Sequence, residues 1–176
     1  MNILIAYAST EGQTRKIARY AADYLIGQGH SVELVGAADA KDAELARFNA
    51  VLLAGSVHAG KYQKPLTALA KGKASALAQV RSAFLSVSLA AAGSDPADWE
   101  GLSDCVNRFA AKTGWTPPTV MHVAGAFRFS EYDFFKSWAM RWIAAQKDQK
   151  VSPDEDKEYT DWAGLKKTLD TWLSAG

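Results

Sequence analysis

Cysteine is nearly absent: Cys105 is the single thiol in 176 residues. One thiol excludes an internal disulfide framework and any multi-cysteine zinc or iron–sulfur site, and it suits a reducing, cytoplasmic compartment. An excess of either charge is also missing. Lys and Arg number 20 against 19 for Asp and Glu, a net charge of +1, so no global field draws the chain to nucleic acid. Histidine is scarce, and His30, His58 and His122 are too widely separated for a metal-ligand spacing. No run of about 18 apolar residues occurs, which excludes a spanning helix. The apolar start from Met1 to Ala8 is too short for a signal-peptide core, has no basic n-region and runs directly into Ser9-Thr10-Glu11, so no export signal is expected. Internal repeats and low-complexity segments are absent, and Pro is limited to 5 residues.

What the chain does contain is apolar material and tryptophan. Apolar residues make up 48% of the sequence, enough for one packed core in one domain of this length. The six Trp stand out because an indole needs a partner for its N–H when buried and concentrates in ligand sites and interfaces.

Apolar runs punctuated by turn residues set the expected order of elements. Asn2 to Tyr7 reads as a strand buried on both faces, and Gln13 to Gly27 as a helix with Ile17, Ala18, Ala21, Ala22 and Leu25 on one stripe. Ser31–Val35 is a second strand, Lys41–Phe48 a link, and Asn49–Gly55 a third strand. A helix from Pro65 to Leu77, a strand over Ser82–Ser88, a helix over Asp98–Thr113 and a fifth strand over Thr119–Ala126 follow. Strands alternating with helices give an α/β fold, a doubly wound parallel sheet covered by helices on both faces. Two strand orders are common for it, and in both the ligand lies at the carboxyl ends of the strands. Beyond Ala126 come an aromatic helix over Tyr132–Gln146, a charged linker over Lys147–Glu158, and a last helix over Asp161–Leu173.

Three loops on that ligand-bearing rim have the chemistry of a site. Ser9-Thr10-Glu11-Gly12-Gln13-Thr14 joins the first strand to a helix start, where backbone N–H groups, the helix dipole and hydroxyls suit a phosphate monoester. With one glycine and no Gly-Lys-Ser/Thr it is neither a dinucleotide fingerprint nor a Walker loop; simple capping of the helix by Ser9 and Thr10 is the competing reading. Gly55-Ser56-Val57-His58-Ala59-Gly60-Lys61-Tyr62 follows the third strand and Ser86-Val87-Ser88-Leu89-Ala90-Ala91 the fourth. A flat redox ring carrying a phosphate would use all three. No nucleophile–base constellation is present, so no residue is singled out as catalytic.

The Ser-Thr-x-Gly-x-Thr element after the first strand resembles the phosphate loop of flavodoxins. Further pieces resemble one branch of that superfamily, the bacterial flavodoxin-type, quinone-dependent protoporphyrinogen IX oxidases: Tyr7-Ala-Ser-Thr-Glu-Gly-Gln-Thr-Arg15, Gly55-Ser-Val-His-Ala-Gly-Lys-Tyr62, Phe84-Leu-Ser-Val-Ser-Leu89, Gly114-Trp-Thr-Pro117, Val123-Ala-Gly-Ala-Phe-Arg-Phe129 and Tyr159-Thr-Asp-Trp162. The resemblance implies a five-stranded sheet of order 2-1-3-4-5, with residues 1–176 forming one FMN-binding domain and residues 127–158 inserted before the last helix. It implies that Ser9, Thr10, Glu11, Gly12, Gln13 and Thr14 hold the FMN phosphate. Ser56, Val57, His58, Ala59, Gly60 and Tyr62 would line one side of the isoalloxazine, and Ser88, Leu89, Ala90 and Ala91 the other. The implied reaction is the oxidation of protoporphyrinogen IX to protoporphyrin IX, with electrons passed through FMN to menaquinone or ubiquinone.

Several residues keep two readings. His58 tunes or serves the ring, or simply supports its loop; His122 reads as a core histidine, His30 as a turn residue and Cys105 as packing. Lys61 and Arg128 are the candidates for the substrate propionates. Arg128 also reads as meeting the flavin edge, or as an ion pair with Glu131 or Asp133, and Lys61, with Lys64, Lys71, Lys73 and Arg81, also reads as a solvated basic face. Phe135, Trp138, Ala139, Trp142 and Ile143 fall on one stripe, which either packs on the core or docks in a membrane interface on the cytoplasmic face of the inner membrane. Alternative functions are a soluble flavodoxin-like electron carrier, which the near-zero charge opposes, an NAD(P)H:quinone reductase, and a flavin-free interaction domain.

Overall fold

The structure, a computed structural model, describes residues 1–127 and 157–175. Its elements are β1 (Asn2–Ala8), α1 (Gln13–Gly27), β2 (Ser31–Gly36), β3 (Ala50–Ser56), α2 (Lys64–Gly72), α3 (Ala74–Leu77), β4 (Arg81–Ser88), α4 (Pro96–Thr113), β5 (Val120–Ala124), β6 (Ala126–Phe127), β7 (Lys157–Glu158) and α5 (Trp162–Ser174). The first five strands form one parallel sheet in the order β2-β1-β3-β4-β5, the flavodoxin-like arrangement.

The central strands β1, β3 and β4 are mostly apolar because both faces are covered. Successive residues point to opposite faces. Leu4, Ala6, Val51, Leu53 and Phe84 pack with Leu66, Leu69, Phe109 and Trp115 on one side. Ile3, Ile5, Leu52, Ala54 and Leu85 pack with Ile17, Ala21, Leu165, Leu169 and Trp172 on the other. Because β1 to β5 run parallel, their carboxyl ends lie on one rim.

Most boundaries shift from the sequence-based expectation by one or two residues, and three of the differences have a visible cause. The single helix expected over 65–77 is two, broken at Lys73, whose φ of −114° leaves the helical range; the preceding Gly72 costs more to hold helical than any residue but proline. Asn49 precedes β3, its side chain accepting the Asn2 N–H at 2.7 Å. The fifth strand ends at Ala124, not Ala126. Gly125 turns the chain by donating to the Ser88 carbonyl at 3.0 Å, and β6 then pairs antiparallel with β7, Ala126 opposite Glu158 and Phe127 opposite Lys157. The end of the expected linker is thus a short strand, with the rest of it outside the described residues. The aromatic helix, Phe135, Trp138, Trp142 and Arg128 lie outside them too.

The chain returns to the rim through β7. Tyr159 N–H donates to the Gly125 carbonyl at 3.0 Å, and the Thr160 hydroxyl donates to the Ala124 carbonyl at 2.7 Å. Asp161 caps α5 by accepting from Gly164 N–H at 2.9 Å. The helix lies along α1, with the Tyr20 and Trp162 rings 4.5 Å apart and the Tyr24 hydroxyl donating to Asp170 at 2.8 Å. Arg81 donates to the carbonyls of Trp172 and Leu173 at its carboxyl end, where a cation is favoured.

Two stability predictions follow from packing and burial. A Cβ added at Gly55 would meet Leu66 Cδ2 at 2.3 Å, so Gly55→Ala should destabilise by about 1–3 kcal/mol, read as a lower urea midpoint with unchanged slope. His122, expected as a satisfied core histidine, is instead half-buried: its Nδ1 is buried with no partner among the described residues, its ring lies edge-on to Trp99 at 5.6 Å, and burial lowers its pKa. The unfolded chain then binds the proton more readily than the folded one. Stability should be greatest above the ordinary histidine pKa and fall as pH drops through it toward the lowered folded value. A His122→Gln variant should show a flatter unfolding free energy than the parent between pH 7.5 and 5; equal slopes would refute this.

Candidate functional site

The three loops meet at the carboxyl ends of β1, β3 and β4, which are adjacent in the sheet. After β1, Gly12 adopts a φ of 91° at the start of α1, a left-handed conformation that glycine takes without steric cost. Its N–H donates to Ser9 Oγ at 2.9 Å. No side chain caps α1, so the leading N–H groups of the helix stay available to a ligand. One residue into the helix, Thr14 is buried and its Oγ1 has no hydrogen-bond partner among the described residues. A buried hydroxyl left unpaired is costly without a ligand, and it stands on the first turn, where an anion is favoured. Simple capping of α1 by Ser9 or Thr10 is not observed.

The loop after β3 is a two-residue hairpin. His58 N–H donates to the Lys61 carbonyl at 2.8 Å and Lys61 N–H returns to His58 at 3.0 Å, with Ala59 at φ 47° and Gly60 at φ 72°. Both central residues being left-handed is the type I′ geometry. Arg108 of α4 donates to the Gly60 carbonyl at 3.5 Å and to Cys105 Sγ at 3.3 Å, so the buried thiol is a packing group that also seats this arginine. His58 Nδ1 lies 4.0 Å from Glu11 Oε1 of the first loop. After β4, Leu89 leads into a tight turn over Ala90–Ala92, and Ser88 Oγ accepts from Ala91 N–H at 3.2 Å.

Two expected side chains are elsewhere. Tyr62 does not line the rim: its ring packs between Phe84 and Phe109, at 4.8 and 5.1 Å. Its hydroxyl bonds Ser86 Oγ at 2.8 Å, and burial, partly offset by that bond, pushes its pKa up to about 12. Its aromatic bulk was satisfied by the core. Gln13 gives the rim only its backbone, because its amide donates to Glu158 at 2.6 Å and Thr160 at 3.0 Å. Lys16 also donates to Glu158, at 2.8 Å. Burial alone would raise the Glu158 pKa, but the hydrogen bonds from Lys16 and Gln13 outweigh it and hold the carboxyl below its ordinary value. Lys61 is exposed at the hairpin base, and Arg128 is outside the described residues.

Gln63 is the residue that sequence reasoning missed. At the start of α2, its amide nitrogen donates to Thr10 Oγ1 at 3.2 Å and Ser56 Oγ at 2.6 Å, and its Oε1 accepts the Ser56 N–H at 3.3 Å. It ties the first loop to the second. A lone glutamine two residues before Pro65 carries no signal of this role, which depends on where β1 and β3 end.

A common polarity runs through the rim. Ser9, Thr10, Ser56 and Ser88 each accept from a group that can only donate, namely Gly12 N–H, the Gln63 amide twice, and Ala91 N–H. A hydroxyl that accepts still has its own proton to give. No acceptor takes those protons among the described residues. With Thr14 and the α1 amides, the first loop is an array of donors fit for an anion such as the FMN phosphate, Ser56 and Ser88 extend the donors along the rim, and none of this draws on Lys16, which Glu158 engages.

Comparison with known proteins agrees with this geometry. The flavodoxin domain family model matches residues 4–154. Protoporphyrinogen IX dehydrogenase [quinone] of Escherichia coli (strain K12) is 25% identical over 162 residues, 92% of this chain and 89% of that protein. The protein of the same name from Leishmania major is 27% identical, covering 93% of this chain and 71% of its own length. Among solved structures, a Streptococcus pneumoniae TIGR4 flavodoxin superposes with a TM-score of 0.58 at 14% identity over all of both chains. An apo NADH:FMN oxidoreductase does so at 0.54 and 16%, over 99% of this chain and 90% of its own. With the sheet order, the donor rim and a family model spanning most of the sequence in agreement, the chain belongs to the flavodoxin family of FMN-binding redox proteins.

Proposed function

We propose that this chain is an FMN-dependent enzyme that oxidises protoporphyrinogen IX to protoporphyrin IX and passes the electrons to a quinone. The observation that carries the cofactor half of this reading is the donor rim with its unpartnered Thr14 hydroxyl. The substrate half is supported by two relatives of that named activity, matched over more than nine-tenths of this chain. We take residues 1–176 as one domain with 127–158 inserted before α5.

Bound FMN would supply the electron transfer between donor and acceptor; the protein's own groups do the rest. The amides at the start of α1 with Ser9, Thr10, Gly12 and Thr14 would hold the phosphate, Gln13 through its backbone. Ser56, Val57, His58, Ala59 and Gly60 would flank the ring on one side, and Ser88, Leu89, Ala90 and Ala91 on the other. Glu11 and His58, 4.0 Å apart, would face each other across the gap between the first two loops. The exposed Lys61 ammonium would meet a substrate propionate, as would Arg128. Among the described residues no helix is long and apolar enough to cross a membrane. A lipid-dissolved quinone would be met by peripheral contact at the cytoplasmic face of the inner membrane.

Two experiments test this reading. The purified protein should bind FMN, lose flavin absorbance anaerobically on addition of protoporphyrinogen IX and regain it with menadione. Flavin-loaded protein that protoporphyrinogen leaves unchanged would overturn the substrate, and rapid reduction by NADPH instead would favour the reductase alternative. For the cofactor, Thr14→Val should weaken FMN binding about tenfold, the loss of one hydrogen bond to a charged group, with little change in melting temperature; unchanged affinity by fluorescence titration would remove Thr14 from the cradle.

A further inference from the structure

Of all the residues around the rim, Gln63 is the one whose chemistry dictates that of its neighbours. Its carboxamide bridges two loops that leave different strands, and all three of its bonds have fixed direction. The Ser56 backbone N–H can only donate, so the atom 3.3 Å from it must be Oε1. That settles the orientation of the amide. The NH₂ group is then the one facing Thr10 Oγ1 at 3.2 Å and Ser56 Oγ at 2.6 Å. Since an amide NH₂ has no acceptor capacity, both hydroxyls must accept from it, and each must turn its own proton elsewhere. Ser9 and Ser88 are polarised by backbone N–H groups; only Thr10 and Ser56 depend on a side chain for it.

We infer that Gln63 is a positioning residue whose amide holds the Thr10 and Ser56 hydroxyls as donors toward the cofactor, a role that rests on the FMN-binding reading above. Direct contact of Gln63 with the cofactor is not required. Glutamate in its place is nearly isosteric and still accepts the Ser56 N–H, but its carboxylate is acceptor-only. The two hydroxyls would then donate inward to the carboxylate, and the rim would lose both donors without losing its shape.

The test is a double-mutant cycle on FMN affinity, read by quenching of flavin fluorescence, with melting temperature as the check on folding. Gln63→Glu should keep a melting temperature near the parent's and weaken FMN binding at least tenfold. Thr10→Val should weaken binding in the parent background but add nothing in the Gln63→Glu background, since the same donor is already lost. Like-charge repulsion between a carboxylate and the phosphate would instead give additive losses that shrink as salt is raised. Gln63→Met, which removes donor and acceptor without adding charge and leaves the hydroxyls free to rotate, should lose less than Gln63→Glu. Additive losses, or a Gln63→Glu affinity equal to the parent's, would overturn the role of Gln63 while leaving FMN binding intact. A parent protein that binds no FMN would overturn both.

Discussion

The approach of α2 to the end of β3 is the contact on which the rim depends. Gly55 has no side chain, and Leu66 occupies the space where a Cβ would stand. Beside that contact, Gln63 reaches Ser56 and Thr10, and Tyr62 drops its ring between Phe84 and Phe109. A larger residue at position 55 would press on the side chains of Leu66, Gln63 and Tyr62 together, in an interior packed too closely to absorb the added volume.

Charge enters the site by a different route from the one common in phosphate sites. The rim offers oriented hydroxyls and amides, and the carboxylate of Glu158 takes up Lys16 and the Gln13 amide from the side. Neutral donors fixed before the ligand arrives need little reorganisation on binding. The same carboxylate ties β7, and through Thr160 and Asp161 the start of α5, to the first turn of α1. The terminal helix and the phosphate loop thus share an anchor, although about 145 residues separate Gln13 from Glu158 along the chain.

Much of this was legible in the residue order. The continuous apolar runs Asn2–Tyr7 and Asn49–Gly55 identified strands buried on both faces, and the stripe from Ile17 to Leu25 identified α1, because burial imposes its period directly on the sequence. The Ser-Thr-x-Gly-x-Thr loop was visible because a left-handed turn before a helix needs glycine at position 12. The reading erred where neighbours in space outweighed neighbours in sequence. Tyr62 has the composition of a ligand-facing aromatic, yet a pocket between two phenylalanines claims it. Thr119–Ala126 reads as one apolar strand, but Gly125 bonds back to Ser88 and hands the next two residues to a partner from the far end of the chain.

The sequence by itself determined the class of fold, the rim on which a ligand would bind and the loops that could hold a phosphate, because hydrophobic period and turn chemistry are local properties. Only the tertiary structure decided which way the hydroxyls point and what fixes them. Direction in a hydrogen bond belongs to a pair, and the partners of Thr10, Ser56, Gln13 and Lys16 come from other elements, brought to them by the order of the strands.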